Sequence, residues 1–116
     1  MNKIIAKPWG HEIVIVKTKK YILKKIWIDK NSQLSKTYYR TKDRTVYVNK
    51  GVLLLDFSQN NSETNVVKLK EGEHWRIIPK TVCKFCTSDD SPVEILEVST
   101  PENANVVYLD EIMENN

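Results

Sequence analysis

Glycine occurs three times, proline four times, cysteine twice and histidine twice in 116 residues. The glycines Gly10, Gly51 and Gly72 lie far apart, so no glycine-rich loop is available to cradle a phosphate. Cys83 and Cys86 form a single C-x-x-C, which cannot make a disulfide framework for a chain of this length. No apolar run approaches the ~20 residues that span a bilayer. The first ten residues lack the apolar segment of a secretory leader. The expected compartment is therefore the cytoplasm, with no membrane partner. Charge of one sign is not concentrated either: 18 basic and 15 acidic side chains leave +3, and they are interspersed along the chain. That pattern argues against a nucleic-acid partner.

What remains is a succession of short β-rich runs divided by polar turns, with almost no helix signal. The pattern predicts strands over 13–17, 21–29, 44–49, 52–57, 64–69, 74–78, 82–87, 93–99 and 105–109. The clearest turn is Ser58-Gln59-Asn60-Asn61-Ser62. Residues 109–114 are expected to add at most one helical turn. The length suits one domain, 1–116, with a barrel core over about 7–110. Closing such strands into a barrel removes the exposed edges that an open sheet would leave.

Strand parity singles out four charges, because successive side chains point to opposite faces. Lys24 shares a face with Ile22, Ile26 and Ile28, and Arg44 with Val46 and Val48. Lys84 shares a face with Val82 and Cys86, and Glu97 with Val93 and Ile95. Charges on apolar faces are costly unless they are paired or face a wet cavity. A polar barrel lumen explains all four; strands buried on both faces are the alternative.

Several short motifs, in order, resemble a known family. Lys7-Pro8-Trp9-Gly10 followed by Glu12, then Tyr21-Ile22-Leu23-Lys24-Lys25-Ile26, Gln33-Leu34-Ser35, Gly51, Ile78-Pro79 and Leu96-Glu97-Val98 are similar to the cupin domain of type II mannose-6-phosphate isomerases. In that family the domain also forms the C-terminal part of mannose-1-phosphate guanylyltransferase/isomerase. The resemblance implies an all-β, double-stranded β-helix, the cupin or jelly-roll barrel. It also implies a divalent metal held by a His-x-His pair, a Glu and a further His. At those positions this chain has Tyr39, Thr41, Arg44 and Lys84. Arg and Lys donate hydrogen bonds and do not ligate a divalent cation at neutral pH. The expectation is therefore no metal and no cofactor.

Other constellations have plainer readings. Cys83 and Cys86 fall on opposite faces of a strand, which defeats chelation with His11 and His74. Trp9, Trp27 and Trp75 suit core packing, with a sugar-stacking platform as the alternative.

The function expected is that of a mannose-6-phosphate isomerase-like cupin. It would bind an anionic carbohydrate, a sugar phosphate or nucleotide sugar, through Lys24, Tyr39, Thr41, Arg44 and Lys84, because a cation-lined cavity favours phosphate or carboxylate. Two alternatives stay open. One is a metal-independent isomerase or epimerase using Glu97 or His74 as base and Lys24 or Lys84 as electrostatic stabiliser of an enediolate. The other is a non-catalytic dimeric interaction scaffold. A homodimer is implied by the resemblance, and the apolar run Ile13-Val14-Ile15-Val16 would support it if it formed an exposed sheet edge.

Overall fold

The computed structural model describes residues 3–59, 63–88 and 90–101 and the backbone of Val107 and Tyr108. The described residues contain no helix; the expected helical turn over 109–114 lies outside them. Eleven strands follow one another: β1 (Ile4–Lys7), β2 (Gly10–Lys17), β3 (Ile22–Ile28), β4 (Thr37–Tyr38), β5 (Arg44–Lys50), β6 (Leu53–Gln59), β7 (Asn65–Leu69), β8 (His74–Ile77), β9 (Thr81–Cys86), β10 (Val93–Ser99) and β11 (Val107–Tyr108). Alternation predicts the longer strands to within a few residues. The short strands β1 and β4 carry no such signal.

The strands form two antiparallel sheets, ordered β1-β2-β3-β10-β5-β8 and β11-β4-β9-β6-β7. The inner faces enclose one core. Ile26, Ile28, Val46, Val48, Val93 and Ile95 come from the first sheet, and Leu53, Leu55, Cys83 and Phe85 from the second. Period-2 burial is clearest in β9, where Thr81, Cys83 and Phe85 are buried and Val82, Lys84 and Cys86 are half-buried on the other face.

Two local features set the wall beside β3. Gly10 has φ of 152°, and a Cβ there would collide with the carbonyl oxygen of Trp27. β2 can approach β3 this closely only with glycine at that point. The Trp9 carbonyl then accepts from the Asp29 N–H at 2.8 Å. Further along, a bulge between Val14 and Val16 shifts the β2–β3 register. Of the run 13–16, only Ile13 has a partner in β1; among the described residues Val14 and Val16 pair with β3 alone, so beyond the end of β1 this half-buried stretch is open on one side, as the sequence reading anticipated. The outermost strand is β1, exposed throughout, with Ile4 and Ile5 solvent-facing.

Candidate functional site

One end of the barrel opens into a cavity of about 170 Å³. The first sheet contributes Lys7 from the end of β1, Trp9 from the turn, Glu12 from β2, Lys24 and Ile26 from β3, Arg44 from β5 and Glu97 from β10. The facing wall is Leu34, Ser35, Thr37 and Tyr39 around β4, with Cys83 and Phe85 of β9. Lys24, Arg44 and Glu97, which strand parity places on one inner face, meet in this cavity.

The deepest charges are held together. Arg44 Nη1 lies 3.7 Å from Glu97 Oε2, with the two side chains only 7% and 5% exposed. Arg44 Nη2 donates to Thr37 Oγ1 at 3.2 Å. The guanidinium also sits 4.9 Å from the Tyr39 ring centroid and 5.3 Å from that of Phe85. Its charge is thus compensated by a carboxylate, a hydroxyl and two aromatic faces, which together offset the desolvation of a buried cation. Nearer the mouth, Lys24 Nζ lies 3.6 Å from Glu12 Oε1, with side chains 23% and 14% exposed. Lys42 stacks on the Tyr39 ring at 4.5 Å and does not line the cavity. Lys7 is exposed, and among the described residues no carboxylate lies within ion-pair distance of it.

Cys83 completes the wall as a neutral thiol. Burial pushes its pKa up to about 12, against a smaller opposing pull from Arg44. The donors present do not fit a divalent cation. Glu12 and Glu97 each face a cation, the thiol stays protonated, and no group of three metal-binding side chains occurs among the described residues.

Three expected site residues lie elsewhere. Lys84 is on the outward face of β9, beside Lys36, Asp56 and Ser58, because the buried parity of β9 belongs to Cys83 and Phe85. His74 is exposed on β8, the last strand of its sheet, opposite Tyr47. It cannot serve as a base inside the barrel. Thr41 is exposed and does not line the cavity. Of the tryptophans, only Trp9 reaches the cavity; Trp27 stacks with His11 at 6.2 Å and Trp75 packs on Phe57 at 5.4 Å. Sequence reasoning missed Lys7, Glu12, Ser35 and Thr37 as site residues, although Lys7, Glu12 and Ser35 sit inside the motifs that carry the family resemblance.

No family model matches the chain, and no curated protein does. Solved structures match it closely in shape. The capsular polysaccharide assembling protein CapF from Staphylococcus aureus superimposes with a TM-score of 0.83 at 12% identity, over 93% of this chain and 34% of that one. A single-residue mutant of oxalate decarboxylase from Bacillus subtilis gives a TM-score of 0.85 at 8% identity, over 99% of this chain and 32% of that one. The formate complex of oxalate decarboxylase from Lactobacillus farciminis gives 0.84 at 12%, over 99% and 36%. The Bacillus enzyme has Mn(II) centres. The chain thus has the cupin fold and spans about a third of the length of these proteins.

Proposed function

We propose that this cupin domain binds a small anionic carbohydrate in its lumen without a metal ion. The observation that carries the reading is the charge of the cavity. Lys7, Lys24 and Arg44 face Glu12 and Glu97, so one cation is in excess, and Lys7 has no acidic partner among the described residues. A partly enclosed cavity with one surplus cation holds a positive potential that favours an anion. The remaining lining suits a sugar. Ser35, Thr37 and Tyr39 offer hydroxyls, Glu12 and Glu97 accept from hydroxyls, and the Trp9 indole offers an apolar face to ring C–H groups. The cavity, about 170 Å³ and open at its mouth, is of a size to admit one sugar ring.

The resemblance to mannose-6-phosphate isomerases points to a sugar phosphate or nucleotide sugar, and the likeness in shape to a protein of capsular polysaccharide assembly is compatible with a sugar ligand. Isomerase or epimerase chemistry has less support. Proton abstraction needs an unencumbered base; Glu97 is held by Arg44 and His74 lies outside the cavity.

Calorimetry with mannose 6-phosphate, nucleotide-linked sugars and sugar acids, each against its neutral parent, tests the reading. Charged members should bind and neutral ones should bind at least tenfold more weakly. Equal affinity for charged and neutral sugars, or no binding across the panel, would reject it. We also propose a homodimer through the apolar edge strand β1; light scattering that finds a monomer at micromolar concentration would count against it.

A further inference from the structure

The charge count of the lumen carries the reading one step further, to the valence of the ligand. We infer that the cavity selects a monoanion, and so a sugar bearing a carboxylate, over the dianion of a phosphate monoester. The inference rests on the lumen being an anionic-carbohydrate site and narrows the charge of its ligand.

Three cations and two carboxylates leave a single positive charge. The pairs Lys24–Glu12 and Arg44–Glu97 are each compensated, at 3.6 and 3.7 Å. The surplus resides on Lys7 at the mouth. A carboxylate brings one charge and leaves the filled cavity neutral. A phosphate monoester carries about −1.5 to −2 at neutral pH, with its second ionisation near pH 6. Its second charge would face Glu12 and Glu97 with no cation left to meet it. In a partly enclosed cavity that repulsion is weakly screened. The remaining lining groups are the Cys83 thiol, hydroxyls and apolar side chains, and no histidine lines the cavity. A hexuronate, one ring with one carboxylate, also matches the cavity volume of about 170 Å³.

The test uses the full chain and three probes, glucuronate, mannose 6-phosphate and mannose, titrated calorimetrically at pH 7.5 and 5.5. Glucuronate keeps one charge throughout, whereas mannose 6-phosphate passes from dianion to monoanion. Glucuronate should bind about tenfold or more tighter than mannose 6-phosphate at pH 7.5 and change less than about threefold between the two pH values. Mannose 6-phosphate should gain affinity at pH 5.5. Lys7→Ala, at an exposed position, should reduce glucuronate binding to about that of mannose. Glu12→Gln, which adds one net positive charge, should move the preference towards mannose 6-phosphate at pH 7.5. If wild type binds mannose 6-phosphate at pH 7.5 as tightly as glucuronate, or loses it at pH 5.5, the monoanion inference is overturned and the anionic-sugar reading stands. If neither anion binds better than mannose, both fall.

Discussion

The inner faces of β3, β5 and β10 have two unlike ends. At one end Val93 pairs with Ile28, and Ile95 with Ile26 and Val48; these five side chains are no more than 4% exposed. At the other end, in continuous register, Glu97 pairs with Lys24 and Ser99 with Arg44. Arg44, Glu97 and Ser99 are almost as buried as the aliphatic residues. The Ser99 hydroxyl has no hydrogen-bond partner among the described residues. The same strands therefore hold a dry core at one end and an ion-paired cavity wall at the other. Burial alone does not distinguish them; the chemistry of the buried groups does. Aliphatic pairs stabilise wherever they pack, whereas the charged end is stable only while each charge keeps its partner.

The largest effect should come from breaking the charged end. Arg44→Ala leaves Glu97 buried without its partner and should cost about 3–5 kcal/mol. Ile95→Ala, at the apolar end, should cost about 2–5 kcal/mol through lost contacts and a cavity. The two differ in how they are rescued. Replacing Arg44 and Glu97 together by methionine should recover most of the loss, since no unpaired charge remains, while no polar partner rescues Ile95→Ala. Urea denaturation of the four proteins measures this; a double variant as unstable as Arg44→Ala would break the comparison.

A second prediction concerns thiol reactivity across β9. The buried inward thiol Cys83, with its pKa raised to about 12, should resist maleimide at pH 7.5 in the folded protein. Cys86, half-buried on the outward face and less strongly raised, should be modified faster. Denaturant should equalise them. Equal labelling in the folded state would contradict the inward placement of Cys83.

The smallest effect lies away from the lumen, on the outer side of the first sheet. Burial alone would raise the Glu94 carboxyl, but hydrogen bonds from Asn49 and Lys25 outweigh it and hold it below the usual carboxylate range. The hydrogen bond from Arg76 does the same for Asp43. A carboxyl whose folded pKa is lowered contributes stability above its unfolded value, about 4, and loses it as pH falls through the folded value. Glu94→Gln should therefore flatten the acid limb of stability below about pH 4. A variant whose acid limb matches wild type would show that Asn49 and Lys25 do not stabilise the ionised form.

Much of this division is legible in the sequence. Period-2 alternation places Lys24, Arg44 and Glu97 on the inner face, because the isoleucines and valines around them mark that face. Lys84 defeats the same rule. Val82 and Cys86 flank it on one parity and Cys83 and Phe85 define the other, so both faces of β9 look apolar and hydrophobicity cannot choose. Glu12 escapes because the apolar run that marks β2 begins only at Ile13, so the first residues of the strand, Gly10 to Glu12, read as a loop. Thr37 and Tyr39 lie on or beside a two-residue strand too short to show a period. His74 shares its parity with Arg76, while Trp75 and Ile77 form the apolar inward face of β8, so alternation places His74 outward.

The central claim, that the lumen holds an anionic sugar through its own cations and not through a metal, is tested most directly by calorimetric titration of chelator-treated protein with glucuronate and mannose 6-phosphate, alongside elemental analysis of the same sample. The account predicts that the treated protein, containing no stoichiometric divalent ion, binds at least one of these sugars with undiminished affinity, and that added manganese or zinc changes nothing. Binding that vanishes on chelation and returns with a divalent metal at about one ion per chain would contradict it.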